Sequence, residues 1–194
     1  MLACAVLVTG CGGRTEKRSP APPRPELFGP DPRYRPPAFG RAVERARSVR
    51  GLRCTRSRPA RFLAHVEIFV DGRVVLMPAG IGIAPPHVRR GAFVVSGRCD
   101  YPLRTREPTG LVEVAPSPQL TLGDLFAVWG QPLSSRRVLS FRRPVMAFVG
   151  RGRVAGDPRR IELRPHLVVT VEVGRYVRPH FPYVFPPGLP TVRP

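Results

Sequence analysis

Phe62-Leu-Ala-His-Val-Glu-Ile-Phe-Val-Asp-Gly-Arg-Val-Val-Leu-Met77 carries the clearest strand and turn signals in the chain. Two runs rich in β-branched and aromatic residues flank Asp71-Gly72. A two-residue hairpin turn needs positive φ at both central positions, and Asp followed by Gly meets that need at low cost. The stretch therefore predicts two antiparallel strands, 62–70 and 73–77, joined by a tight turn.

Toward the C-terminus, strand periodicity continues. Residues 92–96 read as a short strand, and 101–106 and 111–115 as a second hairpin turning at 108–110. Thr121-Leu-Gly-Asp124 has capping-box spacing, with Asp where Glu or Gln is preferred. It predicts a helix running through Leu125, Phe126 and Trp129 and stopping at Gly130. Residues 144–149, a turn at 150–152, and 166–173 (HLVVTVEV) supply the last strands. The tail 179–190 (PHFPYVFPPGLP) holds too much proline for a central strand; its aromatics are expected to pack an extended segment over the domain. Toward the N-terminus, residues 39–49 (FGRAVERARSV) carry apolar residues at helical spacing and predict a short amphipathic helix. This order of elements predicts an α+β fold, mainly antiparallel β, with a β-grasp-like sheet around one short helix. A cupredoxin-like all-β sandwich is the alternative.

Organisation beyond the domain rests on composition. Residues 1–10 form a short apolar, signal-like segment closed by Val8-Thr9-Gly10-Cys11, which resembles a bacterial lipobox. The resemblance implies that Cys11 is alkylated with diacylglycerol and becomes the first residue of the mature chain. Residues 1–7 carry no Lys or Arg, whereas an export signal normally opens with a basic region. Ten residues are too few to cross a bilayer as a helix, which takes about 20. Residues 11–37, rich in Pro, Arg and Gly, read as an extended linker, and 38–189 as a single domain. The expected location is extracytoplasmic, anchored to the bacterial cell membrane.

Charge narrows the partners. The 194 residues include 32 basic and 13 acidic side chains, for a formal net charge of +19, and Lys17 is the only lysine. Arginine pairs bidentately with phosphate and carboxylate, so anionic lipid, a wall polymer or an acidic protein surface is the expected kind of partner. GC-rich coding enriches Arg, Pro, Gly and Ala together and accounts for the same composition. Nucleic acid is disfavoured, because no RNP pattern, zinc finger or helix-turn-helix is present. Of the four cysteines, Cys4 leaves with the signal and Cys11 takes the lipid, which leaves Cys54 and Cys99 as a pair. Their disulfide would close a loop of roughly 45 residues and stabilise by about 4 kcal/mol on the chain-entropy model. Two buried free thiols are the alternative.

Catalytic signatures are missing. No HExxH, CxxC, P-loop or GxSxG motif occurs, so no catalytic residue, metal or cofactor is assigned. Gly150-Arg-Gly152 with Gly156 is only faintly like a phosphate loop and reads better as a turn. Asp100, Glu107, Glu113 and Asp124 form no motif. His87 and His180 sit in proline-flanked loops, and His166 opens a strand where it can hydrogen-bond a turn.

A set of ordered motifs carries a resemblance. Val66-Glu-Ile-Phe-Val-Asp-Gly72, Pro78-Ala-Gly-Ile-Gly-Ile83, Leu120-Thr-Leu-Gly-Asp-Leu-Phe126 with Trp129-Gly-Gln-Pro-Leu133, Gly156-Asp-Pro158, Ile161-Glu-Leu163, His166 and Pro186-Pro-Gly-Leu189 resemble a family of uncharacterised secreted or membrane-attached bacterial proteins. The resemblance spans roughly residues 54–189 and implies a surface location without an activity. It also implies histidines alternating along the strand that here reads Arg61-Phe-Leu-Ala-His65, and more in the run that here reads Leu103-Arg-Thr-Arg-Glu107. Alternate strand residues share a face, and such histidines would suit a transition metal. Here only His65 remains, with Arg61, Leu63, Arg104 and Arg106 at the other positions. Arginine stays protonated and is no ordinary ligand. His65 itself reads most simply as a satisfied strand histidine.

The sequence thus supports a lipid-anchored, non-enzymatic domain that binds an anionic surface component or a protein. A metal-handling protein with a degenerate histidine site is the alternative. Arg61, His65, Arg104 and Arg106 form the candidate anion site. If the four share a face, three guanidinium groups need a counter-charge, either from Glu107 or Glu113 within the chain or from an external phosphate or carboxylate.

Overall fold

The structure, a computed structural model, describes residues 39–57, 59–117, 119–177 and 183–186. The hairpin forms as its sequence dictates: β1 (Phe62–Val70) and β2 (Arg73–Val75) pair antiparallel. Asp71 and Gly72 take φ of 51° and 80°, the positive angles that a tight primed turn demands. Between this hairpin and the central helix lies an insertion of short strands. They are β3 (Ile83–Ala84), β4 (Val88–Arg90), β5 (Phe93–Ser96), β6 (Cys99–Asp100), β7 (Leu103–Arg104) and β8 (Leu111–Val114). The chain continues through β9 (Leu133–Ser134), β10 (Arg137–Val138), β11 (Val145–Val149), β12 (Gly152–Arg153) and β13 (Val168–Val173).

The main sheet has seven strands in the order β12-β11-β13-β1-β8-β7, with β2 also paired to β1. At its centre β1 and β13 run parallel, His65 opposite Val168 through Val70 opposite Val173. Strands flanked on both faces must be apolar along their length, which FLAHVEIFV very nearly is. A hairpin, a helix, a second hairpin and a final strand parallel to the first make the β-grasp-like arrangement, enlarged here by β3 to β8. The sheet is open and is covered by a helix, so the sandwich alternative is not realised.

That helix, α2 (Leu122–Trp129), follows α1 (Arg41–Glu44) in the chain. Thr121 caps it: the Asp124 N–H donates to the Thr121 hydroxyl, and the Asp124 carboxylate accepts from the Thr121 N–H at 3.0 Å. Gly130 ends it in the left-handed region (φ 72°). A Cβ on Gly130 would lie 2.6 Å from Cα of Gly40, so glycine serves there both as cap and as the point where α1's entry touches α2's exit. Leu122, Leu125, Phe126, Val128 and Trp129 are buried against Ala64, Val66 and Ile68 of β1 and Val169, Val171 and Val173 of β13. Each large side chain so buried stabilises by roughly 1.5–3 kcal/mol.

Several boundaries differ from the sequence reading. The helix expected over 39–49 is four residues long. Ala46 and Arg50 adopt positive φ (53° and 50°) and turn the chain into a Val49 to Leu52 bridge. The periodicity there reflects Val43 entering the core rather than a continuous helical face. The strand expected at 101–106 shortens to β7, because the Tyr101 N–H donates to the Gly82 carbonyl and the Thr105 N–H to the Ile81 carbonyl. β4 was not expected; it pairs with β5 across Gly91. His166 lies in a turn at φ 58°, two residues before β13. The signal-like segment, the linker, His180 and most of the tail lie outside the described residues.

Candidate functional site

β1 alternates between two environments. Ala64, Val66 and Ile68 face α2, and Leu63, His65, Glu67 and Phe69 face the other side, where Arg61 precedes them. β8 presents Glu113 opposite Leu63 and opposite Arg104 of β7. The register therefore brings Arg61, His65, Arg104 and Glu113 to one face, and Arg106 follows β7 into the same region.

Glu113 organises the arginines. Its carboxylate accepts from Arg104 Nε at 2.7 Å and pairs with Arg106 Nε at 3.0 Å, while Asp100 takes another nitrogen of Arg104. Arg61 points its guanidinium at main chain, donating to the Pro102 carbonyl at 2.6 Å and the Tyr101 carbonyl at 3.0 Å. Burial first, and then the charge of Arg104, push Arg61 down to about 10. Glu107 moves up, because burial and the neighbouring Glu113 charge both disfavour its ionised form. The counter-charge for these arginines thus comes from inside the chain, through Glu113 and Asp100.

His65 is held by structural contacts. Its Nε2–H donates to the Thr109 carbonyl at 2.9 Å, and Nδ1 lies 3.9 Å from a Glu67 carboxylate oxygen. Its ring stacks on Tyr183 with centroids 3.7 Å apart. Tyr183 also meets Phe185 edge-on at 5.0 Å, and Phe185 lies 4.8 Å from the His166 ring. The described part of the tail is thus an extended aromatic segment laid over this face. Burial raises the Tyr183 hydroxyl above its ordinary range, and Glu107 adds to the rise. The metal implied by the family resemblance does not fit: Arg61, Leu63, Arg104 and Arg106 stand at the ligand positions, and no three His, Cys, Asp or Glu side chains are grouped to hold a metal among the described residues. His87 donates to the Ile83 carbonyl at 2.7 Å. Asp124 caps α2 and pairs with Arg50 at 3.1 Å.

A second basic region was not read from the sequence. Cys54 and Cys99 form the expected disulfide, with Cα atoms 5.5 Å apart. Beside it opens a shallow cleft of about 390 Å³ lined by Thr55, Arg56, Ser96, Gly97, Arg98 and Asp100. Arg56 and Arg98 are exposed and join no ion pair among the described residues. Arg98 donates to the Glu44 carbonyl at 2.6 Å, which orients it without neutralising it. The one acid in the lining, Asp100, is committed to Arg104. Two hydroxyl side chains, Thr55 and Ser96, and two arginines line this space, and the arginine fork matches a phosphate or carboxylate. The signal was present: Arg53-Cys54-Thr55-Arg56 and Ser96-Gly97-Arg98-Cys99 place arginines around each cysteine, and pairing the cysteines pairs the arginines. No helix among the described residues is long and apolar enough to cross a membrane.

Comparison of the chain with family models, with curated proteins and with solved structures gave no match in any of the three.

Proposed function

We propose that this protein is a non-enzymatic binding domain of the bacterial cell surface, tethered through a lipidated Cys11, that recognises an anionic group on a surface component. The observation that carries the reading is the cleft beside the Cys54–Cys99 bridge, where Arg56 and Arg98 stand exposed and the only lining acid is engaged elsewhere. The disulfide supports an oxidising compartment, and the Val8 to Cys11 segment supports the tether. Residues 11–37 are long enough in an extended form, at about 3 Å per residue, to let the domain range well away from its anchor.

Titration calorimetry of the full chain with glycerol phosphate tests the binding. Saturable binding is expected in the wild type, weakened by roughly tenfold or more in Arg56→Ala/Arg98→Ala, since hydrogen bonds to charged groups contribute about 1.5–3 kcal/mol each. Equal titration of both proteins would reject the cleft. Fractionation of bacteria expressing the chain tests the tether: the wild type is expected in the membrane fraction with a diacylated Cys11, and Cys11→Ser in the soluble one.

A further inference from the structure

The insertion carries a second feature, next to the cleft. β4 and β5 form a hairpin that turns at the exposed Gly91-Ala92, where a Cβ built on Gly91 finds nothing within 4 Å. The inner face of the hairpin is held firmly. Val94 is fully buried against Ala79 and Ile83, its N–H donates to the Arg106 carbonyl at 2.8 Å, and the Arg106 side chain donates back to the Val95 carbonyl. The outer face of the hairpin is the opposite. Val88, Phe93 and Val95 are 60%, 51% and 37% exposed, and Arg89 and Arg90 beside them are exposed and join no ion pair among the described residues. An apolar outer face rimmed by arginines is the pattern of a surface that meets a partner or a membrane.

From this arrangement we infer that the β4–β5 hairpin docks on an anionic lipid bilayer, with Phe93 and Val88 entering the interface and Arg89 and Arg90 meeting lipid phosphates. The inference rests on the surface location proposed above and adds a site separate from the cleft. Charge complementarity favours a bilayer, since juxtamembrane arginines are attracted to anionic headgroups while aromatic side chains settle at the interface. Size argues the same way: a stable protein interface takes about 800 Å² from each partner, and a short hairpin with three exposed apolar side chains offers far less. β5 ends at Ser96, in the wall of the cleft, so docking would hold the cleft close to the membrane surface.

The test uses the full chain carrying Cys11→Ser, so that no acyl chain contributes. Co-sedimentation with vesicles of phosphatidylglycerol and phosphatidylcholine in equal parts is expected to retain the protein, and vesicles of phosphatidylcholine alone to retain much less. Arg89→Ala/Arg90→Ala is expected to weaken retention by roughly fivefold per arginine, and Phe93→Asp to abolish it. Phe93→Trp adds a direct reading. The chain's single tryptophan, Trp129, is buried, so a blue shift on adding anionic vesicles reports insertion of the hairpin. Retention unchanged by Phe93→Asp, or a Phe93→Trp spectrum that does not move, would overturn the inference. Retention lost in Arg56→Ala/Arg98→Ala but kept in the hairpin variants would overturn it too, while leaving the cleft reading intact.

Discussion

Arg104 and Arg98 lie six positions apart in sequence, yet the fold employs them in opposite ways. Arg104 is enclosed between Glu113 and Asp100, with its side chain 7% exposed. Arg98 lies at the surface of the cleft, donating to a main-chain carbonyl and joining no ion pair among the described residues. Strand register makes the difference: β7 pairs with β8 so that Arg104 stands opposite Glu113, whereas the turn after β5 offers no acid. A net charge of +19 therefore says little about which arginines remain available. Cross-strand partners decide that, and a binding surface is to be sought where arginine has none.

The largest expected effect is removal of the bridge that braces the exposed pair. Cys54→Ala/Cys99→Ala is expected to lower unfolding free energy by about 4 kcal/mol for a 45-residue separation, measured by urea denaturation. Because the bridge joins the two sides of the cleft, glycerol phosphate affinity is expected to fall with it while the Arg104 pairing persists. Unchanged affinity in a folded double variant would show that the cleft does not depend on its disulfide.

Next in size is an exchange of roles. Glu113→Gln leaves Arg104 and Arg106 short of their shared carboxylate, and breaking a largely buried pair from one side costs about 3 kcal/mol. The variant then carries three crowded guanidinium groups with Asp100 as the nearest remaining acid. Inorganic phosphate is expected to raise its thermal midpoint by more than that of the wild type, since the anion would replace the lost charge. An equal phosphate response in both proteins would mean that the tail and neighbouring strands close this face to ligands.

Much of this was legible in the chain, for identifiable reasons. Asp71-Gly72 announced the hairpin because turn chemistry is local, and Thr121, Asp124 and Gly130 bounded α2 through caps that act within a few residues. The disulfide followed from counting cysteines. Strand alternation put Arg61 with His65 and Arg104 with Arg106, while the meeting of the two pairs on one face stayed conditional until β1, β8 and β7 gave the register. What sequence left open was the identity of the counter-charge, since the Glu113 contact depends on the register of β7 against β8, a tertiary property. Helical spacing at 39–49 misled because Val43, Val49 and Leu52 meet the core through a turn. The cleft escaped notice because its arginines lie more than 40 residues apart and meet through tertiary contacts, the disulfide and the Thr55–Asp100 backbone bridge beside it.

The smallest effect separates two acids of one cluster. Glu113 is held by two arginines, whereas Glu107 lies where burial and the Glu113 charge raise its carboxyl above the ordinary 4.5. A raised acid binds its proton more tightly in the folded state than in the unfolded one. Its contribution is therefore full below pH 4.5, is lost as pH climbs through the raised value, and is constant above it. Glu107→Gln cannot ionise, so its stability curve is expected to lack that decline and to lie above wild type at neutral pH by less than about 1 kcal/mol, solvent screening keeping the gain small. Chemical denaturation of both proteins between pH 4 and 8 reads the difference directly. A variant less stable than wild type at pH 7 would mean that Glu107, like Glu113, serves as a counter-charge, and that the buried arginines need two carboxylates from this segment rather than one.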